Sequence, residues 1–247
     1  MKLLRSPDGC PWDREQSHES IAKNFIEETY EAIEAINKKD PGLLCEELGD
    51  VLLQVVFHAC MEDEKGVFDI NDVADGICKK LIERHPHVFG DLDVSGSDEV
   101  LSNWDDIKRR SKKQDTFTEA MEAVPKELPS LMRSEKLQAK AAKAGLDFAD
   151  SDGAFLKLKE ETEELYSAYK NSETEHIEEE LGDLLFSAAN ISRFLHISAE
   201  LSLNKANDKF RKRFSFVEKE ALASGKNMKD MANEELDVLW EKSKFTD

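Results

Sequence analysis

Apolar and polar residues in this chain are spaced as in helices. Ile26, Tyr30, Ile33 and Ile36 recur at three- and four-residue steps, the period of an amphipathic helix. Leu48 to Cys60 is apolar on nearly every side, and Leu181 to Leu195 repeats that character, so both are expected to be buried helices. Few segments alternate with period two. Glycine and proline fall between the helical stretches: Gly42, Gly66, Pro86 and Gly90 early in the chain, Gly145, Gly153 and Gly225 later. The pattern predicts an all-α protein.

The polar positions carry a duplication. Glu28 and Glu31 form an ExxE pair, and Glu47 and Asp50 an ExxD pair; both recur 133 residues later as Glu161 with Glu164 and as Glu180 with Asp183, each within the same doubled acids. Lys80 and Arg84 are answered by Lys209 and Arg213, and Trp104 with Lys108 by Trp240 with Lys244. The order ExxE, ExxD, KxxxR, WxxxK is kept throughout. We therefore expect two homologous helical domains, residues 1–113 and 130–247, joined by a linker at 114–129 that contains Pro125 and Pro129.

Residues three apart on a helix are neighbours, so each acidic pair presents two carboxylates on one face. Two such helices packed antiparallel would gather four hard oxygen donors, with no histidine or thiolate among them. That donor set suits Mg²⁺ working beside substrate phosphates. For Glu28 and Glu31 taken alone, a merely solvated face accounts for the pair, since both lie away from the Ile26/Tyr30/Ile33 stripe. Glu47 and Asp50 are harder to explain that way, because they lie in line with Leu53, Gln54 and Phe57 on an otherwise apolar helix.

The basic residues complement the acids. Lys209 and Arg213 sit one turn apart and can face one anion, an arrangement suited to polyphosphate; Lys80 and Arg84 offer the same in the first copy. Trp240 can stack on a nucleobase or pack between helices, and Trp104 stands at the matching place. The strings Glu15 to His18 and Glu173 to His176 match the ExxH of di-iron bundles, but do not occupy matching helix positions in the two copies and are read as chance.

The chain has 53 acidic against 34 basic residues and a formal charge of −19, a surface that argues against nucleic-acid partners. No apolar run is long enough for a membrane span, and the first residues turn polar too early for a signal peptide. Cys10, Cys45, Cys60 and Cys78 form no CxxC pair, so neither a zinc site nor a disulfide framework is expected and a reduced, cytoplasmic setting is.

With these motifs in two tandem units, the chain resembles the MazG family of nucleoside triphosphate pyrophosphohydrolases. Gly9-Cys10-Pro11-Trp12-Asp13-Arg14-Glu15-Gln16 and His85-Pro86-His87-Val88-Phe89-Gly90 add to the resemblance. It implies Mg²⁺-dependent cleavage of nucleoside triphosphates between the α- and β-phosphates by a homodimer, with the C-terminal unit active and the N-terminal unit structural or regulatory. Carried over by motif, Glu161, Glu164, Glu180 and Asp183 would hold Mg²⁺, Lys157, Lys209 and Arg213 the phosphates, and Trp240 the base. Glu160 or Glu179 would orient or deprotonate water. Glu28, Glu31, Glu47 and Asp50 would make a second metal site, and Lys80, Arg84 and Trp104 a second phosphate site. Asn24 stands where the second copy has Lys157, which marks the first copy as the weaker. Two other classes compete with catalysis: a non-catalytic regulator binding metal and nucleotide, and a di-iron carboxylate protein.

Overall fold

The computed structural model describes residues 1–112, 114–172 and 174–245, and among these the secondary structure is helical throughout. The chain falls into two compact units, Met1–Lys108 and Arg109–Asp247. The first contains α1 (Pro11–Glu15), α2 (His18–Lys38), α3 (Pro41–Glu64), α4 (Ile70–Arg84), α5 (Pro86–Phe89) and most of α6 (Ser97–Ser111). The second contains α7 (Phe117–Glu122), α8 (Ser130–Lys143), α9 (Ser151–Asn171), α10 (Thr174–Phe194), α11 (Ala199–Ala223) and α12 (Asn233–Ser243). The duplication is visible in the order of elements, with α2 and α3 answering to α9 and α10, and α4 to α11.

Each unit is built on a helical hairpin. α2 ends at Lys39, whose φ of 55° is left-handed, and Asp40 then caps α3 by accepting from the amides of Gly42 and Leu43 at 3.0 and 3.1 Å. Two residues therefore reverse the chain, and α2 and α3 pack antiparallel. Ala32, Ala35 and Ala59 are buried, small enough to let the helices approach closely. In α9 and α10 the corresponding buried small residues include Ala154, Ala168, Ser187 and Ala189. Ser172, with φ of 58°, ends α9 as Lys39 ends α2.

The buried face of α2 differs from the expected one. Ile21, Ala32 and Ala35 are buried, whereas Ile26 and Ile36 are 58% and 57% exposed. Glu28, one turn before Ala32 and two before Ala35, lies on the covered side. Likewise α3 and α10 are covered on one side only: Leu48, Leu52, Leu181 and Leu185 are exposed, while Gln54, Phe57 and Met61 are buried. The physical reason is simple. A helix is buried only where a neighbour packs on it, α2 on α3 and α8 with α9 on α10, and the apolar positions turned away from those neighbours stay exposed among the described residues.

Residues 114–129, expected as a linker, carry α7 and group with the second unit. Phe117, Ala120, Met121 and Val124 follow helical spacing; Ala120 and Val124 are buried, and α7 packs on α8. Pro125 and Pro129 only bracket the connection. Lys113, the expected end of the first domain, lies outside the described residues, as does Glu173 of the second ExxH string. Gln138 of α8 donates to the carbonyl of Phe186 at 2.8 Å, fixing α8 on α10 beside a cavity of about 360 Å³.

An N-terminal strap closes the first hairpin. Arg5 makes a forked pair with Glu64, at 2.6 and 2.8 Å, and lies over the Phe57 ring. Met1 packs on the cluster of Ile21, Phe57 and Met61. Gly9 sits in the tightest turn, since a Cβ there would come within 2.3 Å of the carbonyl oxygens of Leu3 and Leu4.

Candidate metal and phosphate sites

In the second unit α9 supplies Glu161 and Glu164, and α10 supplies Glu180; a carboxylate oxygen from each lies within 4.8 Å of the others. Glu161 and Glu180 are only 4% and 8% exposed. Two buried carboxylates facing each other are costly unless cations meet them. Lys157, one turn before Glu161, places its ammonium 2.7 Å from Glu161 and 2.7 Å from Glu160. Those two hydrogen bonds hold the Lys157 ammonium above the usual lysine range. One turn before Glu180, His176 Nε2 lies 3.3 Å from that carboxylate, with Nδ1 3.5 Å from Glu179. Lost hydration pushes Glu164 up; Lys157 opposes this, and the negative charges of Glu161 and Glu180 add to it.

Neighbours in sequence are not neighbours in role here. Glu160 and Glu179 point 100° around their helices from the buried acids and are exposed. Asp183, one turn beyond Glu180, is exposed and lies outside the group of three.

The first unit assembles the same kind of group differently. Glu28 from α2 and Glu47 and Asp50 from α3 bring carboxylate oxygens within 4.8 Å, all three residues half-buried. Glu31 is exposed and shares a hydrogen bond with Glu28 rather than joining the group. Burial first, then the charges of Asp50 and Glu31, push the Glu28 carboxyl up; burial, then Glu31, Glu46 and Asp50, do the same to Glu47. Where the second unit has Lys157 and His176, the first has Asn24 and Leu43. Neither can bring a positive charge to the acids.

The basic residues lie on the following helices. Lys209 is exposed and Arg213 half-buried on α11. Between them Phe210 meets Trp240 of α12, ring centroids 5.4 Å apart. Trp240 is thus a packing residue that keeps part of its surface open. In the first unit Lys80 is exposed near the end of α4, Arg84 lies over the Trp104 ring at 5.0 Å and Lys108 over it at 4.9 Å. Pro86 stops α4 shortly after Arg84, whereas α11 continues ten residues beyond Arg213.

Sequence reasoning missed His176 beside Glu180 and Phe210 against Trp240. The i, i+4 spacing to Glu180 was the available signal for the first. The ExxH string containing His18 hid a different contact: His18 Nδ1 meets His58 Nδ1 at 2.7 Å and His18 Nε2 meets Glu62 at 2.6 Å, while Glu15 is exposed.

Together these features define an all-α tandem protein with a carboxylate centre, open to a divalent cation, in each unit. The model of the MazG nucleotide pyrophosphohydrolase domain matches residues 16–89 and 152–217, and the chain belongs to that family. It is 44% identical over 247 residues to the nucleoside triphosphate pyrophosphohydrolase/pyrophosphatase MazG of Thermotoga maritima, covering all of this chain and 94% of that protein. It is 41% identical to the nucleoside triphosphate pyrophosphohydrolase of Escherichia coli K12, over 99% of this chain and 94% of the relative. A Bacillus subtilis protein, YabN, is 44% identical over 248 residues, which make up half of its length.

Proposed function

We propose that this protein hydrolyses nucleoside triphosphates between the α- and β-phosphates, releasing a nucleoside monophosphate and pyrophosphate, and that the α9–α10 site does the work. The observation that carries the proposal is the meeting of Glu161, Glu164 and Glu180 within 4.8 Å, two of them buried, with Lys157 seated on one. Similarity to relatives named for this activity supports the same reading.

An all-oxygen, anionic group fits a hard divalent cation, Mg²⁺ by preference. Glu161, Glu164 and Glu180 would hold it, with Asp183 able to join from the next turn. When bound, Mg²⁺ neutralises charge on the phosphates and on the pyrophosphate leaving group. The chain's own residues do the rest. Lys157, Lys209 and Arg213 bind and orient the triphosphate. Glu160 or Glu179 accepts a proton from the attacking water, which then bonds to the α-phosphorus as the α–β bridging oxygen leaves with pyrophosphate. The open surface of Trp240, braced by Phe210, lies against the base; stacking of that kind tolerates many bases, so we propose a broad preference. A homodimer would cover the apolar faces of α3 and α10.

Product analysis with each common nucleoside triphosphate tests the proposal. Monophosphate plus pyrophosphate, lost on chelation of Mg²⁺, is expected. Diphosphate plus orthophosphate would overturn it.

For the first unit a second reading is favoured by specific residues. Asn24 replaces the lysine, and Arg84 is engaged by Trp104. We propose that Glu28, Glu47 and Asp50 bind metal without turnover, and that residues 1–113 serve a structural or regulatory role.

A further inference from the structure

Lys157 has been assigned to the triphosphate, yet its ammonium lies 2.7 Å from Glu161, one of the three carboxylates assigned to the metal. The two assignments compete for one side chain. An ammonium at that distance occupies a lone pair of the carboxylate, and its charge repels a dication drawn to the same oxygen. Glu161 is almost wholly buried, so without a cation its charge would be poorly hydrated. Lys157 supplies that cation from within the helix, one turn away. Its side chain is 36% exposed and also touches Glu160, which is open to solvent, so the ammonium has a path outward. The first unit lacks the device: Asn24 stands one turn before Glu28, and its side chain carries no charge.

We propose that Lys157 is an exchangeable counter-ion. It pairs with Glu161 in competition with the divalent cation, and the cation's arrival hands it over to the phosphates of the nucleotide. The inference rests on the pyrophosphohydrolase reading of the same site. Metal and nucleotide then bind the second unit cooperatively, each favouring the side-chain position that the other needs. In the first unit, metal binds without that coupling.

Mn²⁺ binding to the full-length chain, followed by the electron paramagnetic resonance of free Mn²⁺, tests this without reference to turnover. Glu47→Gln with Asp50→Asn removes the first-unit site from the measurement. In that background a non-hydrolysable α,β-methylene triphosphate analogue should tighten Mn²⁺ binding about ten-fold, after correction for metal held by the analogue itself. Lys157→Met should bind Mn²⁺ alone roughly three- to ten-fold more tightly, and the analogue should no longer tighten it. Lys157→Arg, which keeps the charge, should restore the coupling. Independently, Asn24→Lys in an otherwise native chain should weaken Mn²⁺ binding at the first-unit site. If Lys157→Met is folded by circular dichroism and binds Mn²⁺ no more tightly than its parent, the exchange is wrong and the pyrophosphohydrolase reading stands. If the parent shows no Mn²⁺ site sensitive to Glu180→Gln, the metal assignment and the exchange fall together.

Discussion

Glu179 and Glu180 are adjacent and chemically identical, but one is exposed and the other 8% exposed and facing Glu161. A point change therefore has different consequences at each. Glu180→Gln keeps the volume and removes the charge, so the hairpin should remain folded while turnover falls roughly a hundred- to a thousand-fold. Steady-state kinetics beside a thermal melt checks this; turnover within a few-fold of the unaltered protein would remove Glu180 from the site. Gly9 answers to another constraint. A methyl group there meets two backbone oxygens at 2.3 Å, and backbone cannot rotate away as a side chain can. Gly9→Ala should cost about 2 kcal/mol or more, read as a lower urea midpoint, with the second unit's metal binding unchanged. The glycine of the signature Gly9 to Gln16 was legible as a motif, but its cause was not. The clash is with residues five and six places earlier in a turn that no periodicity describes.

At the scale of elements, the sequence pattern gave the helices and their order, while the faces they bury needed the partner helix. The stripe of Ile26 and Ile36 in α2 was the strongest apolar signal, yet the covered face is marked by Ala32 and Ala35, residues too small to stand out. This is why Glu28 read as solvated and is half-buried against Glu47 and Asp50. On α3 the inference held in part: Gln54 and Phe57 are buried in line with Glu47 and Asp50, whereas Leu53, expected on the same face, is 42% exposed. Farther along that hairpin, α2 and α3 are clamped by His18, His58 and Glu62. One imidazole must donate and the other accept in the 2.7 Å Nδ1 contact, so protonating both removes it. Burial, then the neighbouring His18, holds His58 below its ordinary value of 6.5. A pKa lower in the folded than in the unfolded state gives stability that is complete above 6.5 and is lost as pH falls below it. Glu28 and Glu47 act in the opposite sense, because a raised carboxyl pKa favours the fold on acidification. The His58 contribution is therefore best isolated by difference. Between pH 7.5 and 5.5 the unaltered protein should lose about 1 kcal/mol more than His58→Leu does, a gap of roughly 5 °C in Tm. Parallel melting curves for the two proteins across that range would refute the clamp.

At the scale of the whole molecule, duplication has left two carboxylate centres with unlike surroundings. The acids of the second are met by Lys157 and His176, whereas at the matching positions of the first stand Asn24 and Leu43. Copies under the same catalytic demand would need the same cations, because phosphate chemistry requires positive charge at both ends of the site. Acids without those two cations fit the metal-binding, non-catalytic role proposed for the first unit. Equilibrium dialysis with Mn²⁺ should therefore resolve two classes of site. Glu47→Gln with Asp50→Asn should remove one class and leave turnover within about two-fold, since a change distant from the transition state costs little of its stabilisation. Glu180→Gln should remove the other class and nearly all turnover. Should turnover instead fall a hundred-fold with the first-unit pair, both centres take part in catalysis, and the contrast between Asn24 and Lys157 would have to be explained by a division of steps rather than a division of roles.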